Sequence, residues 1–151
     1  MLIRKATPDE AGNLSGLAFR SKAYWGYSDD FMEACRDDLT ISPERIASSL
    51  IYVVEEDCRM KGFVGLEMEN GECLLTDLFI EPDAIGKGYG RALLQHIIEK
   101  AKDLGIHAVT LHSDPHAENF YLRMGARRIG DIESTVFPGR KLPLLEIAIR
   151  S

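Results

Sequence analysis

The chain has 151 residues, room for one ordinary domain and not for two, and its 45% hydrophobic and 28% charged residues mark it as globular rather than disordered. A chain of this length buries about two-thirds of its unfolded surface, so it needs neither a disulfide nor a metal to hold it together. A net charge of −6, without the clustered basic surface that phosphate binding requires, argues against a nucleic-acid partner and suits a cationic acceptor such as an amine.

Met1 to Lys5 lacks the apolar core of a signal peptide, and no stretch approaches the roughly 18 apolar residues of a membrane span. The expected location is the cytoplasm, with no membrane partner. Leu2 to Lys5 reads as a first strand. Thr7-Pro8-Asp9-Glu10 is a capping-box start, with Thr7 as N-cap, Pro8 in the first helical position and Glu10 reaching back. Ala11, Leu14 and Ala18 give that helix an apolar stripe. Ser28 caps a second helix carrying Met32 and Cys35, and Ser42-Pro43 opens a short third one. Cys35, Cys58 and Cys73 are odd in number and follow no CxxC spacing, so they fit neither a disulfide framework nor a zinc site, and no metal is expected.

Ile51 to Glu55 and Gly62 to Met68 read as strands. Asn70-Gly71 then marks a tight hairpin, because a type I′ turn needs positive φ at both central positions. The next strand spans 72–80. A two-residue loop sets 69 opposite 72, 66 opposite 75 and 64 opposite 77, which puts Asp77 on the same face as Val64, Leu66, Cys73 and Leu75 unless a bulge intervenes. Gly88 to Leu104 is the clearest helix: Leu93, Leu94, Ile97, Ile98, Ala101 and Leu104 fall at helical spacing, Lys100 and Lys102 sit near its negative end, and Gly105 stops it. A strand at 108–111 follows. Asp114-Pro115 starts another helix with Ala117, Phe120, Tyr121 and Met124 on one face. Strands near 126–132 and 142–149 flank a loop that holds Pro138 and Gly139. This alternation predicts an α/β or α+β domain with one mixed sheet.

Between the 72–80 strand and the best helix lies Glu81-Pro82-Asp83-Ala84-Ile85-Gly86-Lys87-Gly88-Tyr89-Gly90-Arg91. Glycines at 86, 88 and 90 let backbone N–H groups point into a cavity, the helix N-terminus adds partial positive charge, and Lys87 and Arg91 add formal charge: a pyrophosphate cradle. The P-loop pattern GxxxxGK[ST] is absent, and a dinucleotide GxGxxG would need glycine where Arg91 or Leu93 stands.

The strand ending in Leu78-Phe79-Ile80-Glu81-Pro82, the GxGxGR turn and the Ala-Leu-Leu that follows resemble the acetyl-coenzyme A motif of the GNAT superfamily of N-acetyltransferases. About 30 residues on, Ala117-Glu118-Asn119-Phe120-Tyr121-Leu122-Arg123-Met124-Gly125-Ala126 resembles that superfamily's second motif. Three positions depart from the pattern: Ile85 stands where Arg or Gln is usual, Asp114 where asparagine is frequent, and Ala126 where an aromatic is usual. The backbone donors are left to carry most of the pyrophosphate.

The resemblance implies a mixed, mostly antiparallel sheet of about seven strands, splayed at the cofactor site and flanked by helices. It also implies direct attack of a neutral amine on the thioester of acetyl-coenzyme A. On this sequence the coenzyme would be held by Leu78, Phe79 and Ile80 along the splayed strand, by Ile85, Gly86, Lys87, Gly88, Tyr89, Gly90 and Arg91 in the turn, and by Asn119. Tyr121 matches the tyrosine often assigned as general acid toward the thiolate, although by its own helix face it is an amphipathic core residue. Asp77 is a candidate general base, or else a carboxylate bonded to backbone at the splay, and His112 is the rival base.

The acceptor wall would come from the crowded Arg20-Ser21-Lys22-Ala23-Tyr24-Trp25-Gly26-Tyr27 segment, where Trp25 and Tyr27 suit a cationic or aromatic amine and otherwise read as a helix corner. The loop from Ser134 to Arg140 faces it, and Arg20 and Arg140 suit a carboxylate on the acceptor. The leading expectation is therefore acetylation of a small-molecule or amino acid-like amine. A protein or peptide N-acetyltransferase, or a non-catalytic acyl-coenzyme A sensor, are the alternatives. The sequence leaves open whether the chain works as a monomer or a homodimer.

Overall fold

Polar side chains at the element ends set where the first helical segments begin. The computed structural model describes residues 1–150. After strand β1 (Leu2–Lys5), the Thr7 N–H donates to Glu10 Oε1 at 2.9 Å, the reach-back half of a capping box, and a short 3-10 turn runs into helix α1 (Ala11–Ala23). Ser28 Oγ accepts from the Phe31 N–H at 3.1 Å and starts α2 (Asp29–Cys35); Ser42 Oγ accepts from the Arg45 N–H at 3.1 Å and starts α3 (Pro43–Ser48). Strands β2 (Leu50–Glu56), β3 (Arg59–Glu69) and β4 (Glu72–Ile80) then lead to α4 (Tyr89–Asp103), β5 (Ala108–His112), α5 (Glu118–Arg123), β6 (Arg127–Glu133) and β7 (Lys141–Ala148). The helix read from Asp114-Pro115 is in fact divided: a 3-10 turn at Pro115–Ala117 precedes α5, with the Asp114 carboxylate accepting from the His116 N–H.

The seven strands form one sheet in the order β1-β2-β3-β4-β5-β7-β6, antiparallel at every neighbouring pair except β4 with β5. Each face carries its own core. Leu93, Leu94, Ile97 and Ala101 of α4 bury against Val64, Leu66, Val109 and Leu111, and Leu14, Leu17, Met32 and Ile46 of α1–α3 bury against Ile51, Val53 and Phe63. Each fully buried side chain of this size contributes about 1.5–3 kcal/mol, so the two helical layers hold the sheet from both sides.

The β3–β4 hairpin forms as its turn residues require, with Asn70 at φ 52 and Gly71 at φ 79. Its register runs as expected from Glu69–Glu72 through Leu66–Leu75 and then slips: Gly65 faces Asp77 and Val64 faces Leu78, because a bulge adds one residue to β4. This corrects the expected pairing of 64 with 77. The extra residue carries Asp77 off the face of Cys73 and Leu75, under α4, and onto that of Phe63 and Phe79, under α1–α3. Gly65 permits the change, since a Cβ there would lie 2.7 Å from Asp77 Oδ2.

The strands also approach closely beyond the bulge. A Cβ at Gly62 would sit 2.7 Å from the Phe79 carbonyl oxygen, which is backbone and cannot rotate away. Gly62→Ala is therefore expected to lower the unfolding free energy by about 1–3 kcal/mol, read as a fall in the urea midpoint at unchanged slope. An unshifted midpoint would refute that close approach.

Candidate functional site

The parallel neighbours β4 and β5 pair only at Leu74–Thr110 and diverge beyond it. The Glu81 N–H donates to the Lys61 carbonyl at 2.8 Å, so strand alternation turns the polar backbone groups of Ile80 and Leu78 away from β3 and into the gap. The Ile80 N–H there meets Ser21 Oγ of α1 at 3.3 Å. Phe79, expected to offer its backbone as well, pairs with Phe63 of β3 and also borders the cavity. A cavity of about 900 Å³ fills the gap and continues to the start of α4.

At that end the chain turns through Gly86 (φ 83) and Gly88 (φ 89), both left-handed, with no atom within 4 Å of where a Cβ would stand. None of the amides from Gly86 to Arg91 finds an acceptor among the described residues; the first N–H taken up by the helix is that of Ala92, on the Gly88 carbonyl at 3.1 Å. Ile85, Gly86, Gly88, Gly90 and Arg91 line this end of the cavity, and Asn119 of α5 lies across from them. Lys87 is exposed and stands outside the wall. Tyr89 is buried, and its hydroxyl bonds the Glu56 carboxylate.

Deeper in, Tyr121 is 6% exposed and borders the cavity, and its hydroxyl has no hydrogen-bond partner among the described residues. Burial, together with the charges of Asp77 and Asp114, pushes that hydroxyl well above the usual tyrosine range. Asp77 is buried, accepts from Thr76 Oγ1 at 2.8 Å and pairs with Arg45 of α3; burial raises its pKa above the ordinary carboxylate value although Arg45 opposes the shift. Arg45 Nε also donates to Glu67 Oε1 at 2.9 Å, and Ser49 Oγ donates to the same oxygen at 3.0 Å. Sequence reasoning missed Arg45. His112 ends β5, exposed but bordering the cavity.

The far wall is aromatic and charged. Trp25 lies parallel to the His116 ring at 5.2 Å. Lys22 Nζ and Tyr27 Oη both donate to Asp114 Oδ2 at 2.9 Å, and Arg140 Nη2 donates to Tyr27 Oη at 3.1 Å. Burial works to raise the Asp114 pKa, but Lys22 and His116 override it and hold the carboxyl at about 2; burial and Asp114 push Tyr27 up to about 12. Tyr27 stands behind the wall, stacked on Phe31 at 4.1 Å, while Trp25 and Arg140 border the cavity directly. Arg20 does not reach it: its guanidinium binds Glu81 at 2.8–2.9 Å outside, and Lys22, two residues on, takes the inward position.

Residues 18–126 match the model of the acetyltransferase (GNAT) family. The chain belongs to that family. It is similar to the uncharacterized N-acetyltransferase ycf52 of Porphyra purpurea, 27% identical over 88 residues that cover 58% of this chain and 51% of that protein. The chain thus spans about half the length of the curated relatives it matches. Among solved structures, the PaiA N-acetyltransferase from Thermoplasma acidophilum in complex with coenzyme A superposes with a TM-score of 0.81 at 21% identity, over 97% of this chain and 98% of that one. The ribosomal-protein-S18-alanine N-acetyltransferase from Escherichia coli superposes with a TM-score of 0.73 at 17% identity, over 99% of this chain and 94% of that one. At these identities the likeness establishes the GNAT fold, the seven-stranded, mostly antiparallel sheet flanked by helices. The acceptors of GNAT neighbours differ, so the acceptor of this chain has to be argued from its own site.

Proposed function

We propose that this chain moves the acetyl group of acetyl-coenzyme A to the primary amine of a small molecule. The observation that carries the reading is the run of unsatisfied amides from Gly86 to Arg91 at the start of α4, opening into a gap edged by free polar groups of β4. That run fits a pyrophosphate: successive N–H groups and a helix N-terminus favour an anion, and Arg91 adds charge. The outward N–H and C=O of Leu78 suit an extended pantetheine arm, which would lie along β4 as a further strand, and Asn119, which lines the same cavity, would bond the coenzyme.

Acetyl-coenzyme A supplies a thioester, which a neutral amine attacks directly. Three tasks fall to this chain. Asp77, with its raised pKa, takes the proton of the incoming ammonium, directly or through water. Backbone donors facing the gap near Leu78 stabilise the charge that develops on the carbonyl oxygen. Tyr121, held protonated, gives its proton to the departing sulfur. His112 is the second candidate base, exposed at the mouth. The stacked pair of Trp25 and His116 borders the acceptor side of the cavity, which suits a small amine.

The test is thiol release from acetyl-coenzyme A with a panel of small amines and of peptides with free N-termini. Turnover of small amines supports the reading; turnover of peptides alone would move the acceptor to protein, and tight binding with no turnover would make the chain a sensor. Coenzyme affinity has its own check. Gly88 is left-handed, so any side chain there strains the turn and projects where the amides point. Gly88→Val is expected to weaken coenzyme A binding about tenfold or more by calorimetry, with the circular dichroism spectrum unchanged.

A further inference from the structure

Two groups of charged side chains border the cavity. In one, Arg45 is the cation between two carboxylates, Asp77 and Glu67. The other sets the cations Lys22 and Arg140 with the carboxylate of Asp114, and the exposed carboxylates of Asp38 and Glu133 also border the cavity. Tyr121 borders the same cavity.

Lys22 is committed to Asp114 at 2.9 Å, whereas Arg140 forms no ion pair among the described residues. One Nη2 donates to the Tyr27 hydroxyl, and the guanidinium lies over the rings of Tyr27 and Phe31, 5.6 and 5.0 Å from their centres. The other carboxylates of the wall, Asp38 and Glu133, are exposed, and Glu133 accepts instead from the Gly139 N–H. Arg140 is also held in place. The Ser134 N–H donates to the Arg140 carbonyl at 2.7 Å, the Arg140 N–H to the Phe137 carbonyl at 3.1 Å, and the Phe137 ring stacks on Phe31 at 4.5 Å. A half-buried guanidinium fixed on aromatic planes, with most of its five donors unused, is poorly solvated and lacks a counter-ion. Its fork matches a planar carboxylate.

We infer that Arg140, with Lys22 beside it, binds a carboxylate carried by the acceptor, so that the substrate is a zwitterionic amino carboxylate. Its ammonium faces the Asp77 and Glu67 carboxylates and its carboxylate the unpaired Arg140 guanidinium. This rests on the acetyl-transfer reading for the direction of the amine, while the anion subsite stands on Arg140 itself.

The experiment compares amino carboxylates of several amine-to-carboxylate spacings with their carboxamides, their decarboxylated amines and matched amino phosphonates. It uses wild type and Arg140→Gln, and measures kcat/KM together with calorimetric affinity in the presence of coenzyme A. At one spacing the wild type should favour the carboxylate over its carboxamide about tenfold or more. In Arg140→Gln that ratio should fall toward one through KM, and affinity for the carboxylate should fall by the same factor; Arg140→Lys should regain part of it. Indifference to the carboxylate, an equal loss on every acceptor in Arg140→Gln, or a preference for the phosphonate would overturn the inference. Arg140-dependent binding without any turnover would keep the subsite and refute the acetyl-transfer reading. Turnover of amines regardless of the carboxylate would do the reverse.

Discussion

Tyr121→Phe is expected to lower kcat about 10²–10³-fold while leaving coenzyme A affinity within about twofold and the urea midpoint nearly unchanged. The separation of effects follows from what the hydroxyl touches. The ring is packed, 5.3 Å edge-to-face from Phe120 and part of the core under α4, and phenylalanine keeps that packing. The hydroxyl has no partner among the described residues, so removing it orphans no buried group and costs little stability. What is lost is a donor facing the cavity. Burial and the two nearby carboxylates hold it protonated far above neutral pH, so it is available across the working range. The rate loss should accordingly be constant from pH 6 to 9, measured as kcat at saturating acetyl-coenzyme A. An unimpaired variant would remove Tyr121 from the reaction and leave the sulfur to be protonated by water.

The glycine turn was legible because its chemistry is local: left-handed glycines at 86 and 88 and a helix starting at Tyr89 lie within a few residues of one another, and the structure keeps them adjacent. The hairpin was legible for the same reason, as far as Leu66 and Leu75. Past that point the bulge decides which face Asp77 occupies, and a bulge adds a residue without changing composition. The one trace it left was Gly65, a strand glycine that no turn required. Arg45 had no trace, because its partners Glu67 and Asp77 lie on strands far along the chain and only the packing of α3 on the sheet brings them together. Arg20 and Lys22 show the limit of helical phase. Both flank the buried stripe of Leu14, Leu17, Ala18 and Ser21, and the pattern of α1 cannot tell which flank meets Glu81 and which meets Asp114.

Arg45→Met is expected to destabilise the fold by about 3–5 kcal/mol at pH 8, the largest effect of any single change outside the apolar core. It leaves the buried Asp77 carboxylate with only Thr76 as a side-chain donor and Glu67 with Ser49. The pH dependence has a definite sign. Asp77 has a folded pKa above its unfolded value, so its contribution to stability is fully present below the unfolded pKa and is lost as pH rises through the folded one. Removing Arg45 takes away the charge that opposes burial and drives the folded pKa higher still. The deficit against wild type should therefore widen as pH rises to 8 and shrink as pH falls to 5, in the direction that protonates Asp77. Urea unfolding of both proteins at the two pH values measures this, and a deficit that does not change with pH would mean that Arg45 matters only as packing. Adding Asp77→Asn should recover much of the loss, because the amide needs no counter-ion while Glu67 still reaches water. The same variant separates the two candidate bases. If Asp77 takes the ammonium proton, the ascending limb of kcat/KM moves to higher pH in Arg45→Met along with the stability curve. A limb that stays in place while the stability curve moves assigns the proton to His112, which touches neither Arg45 nor the network it holds.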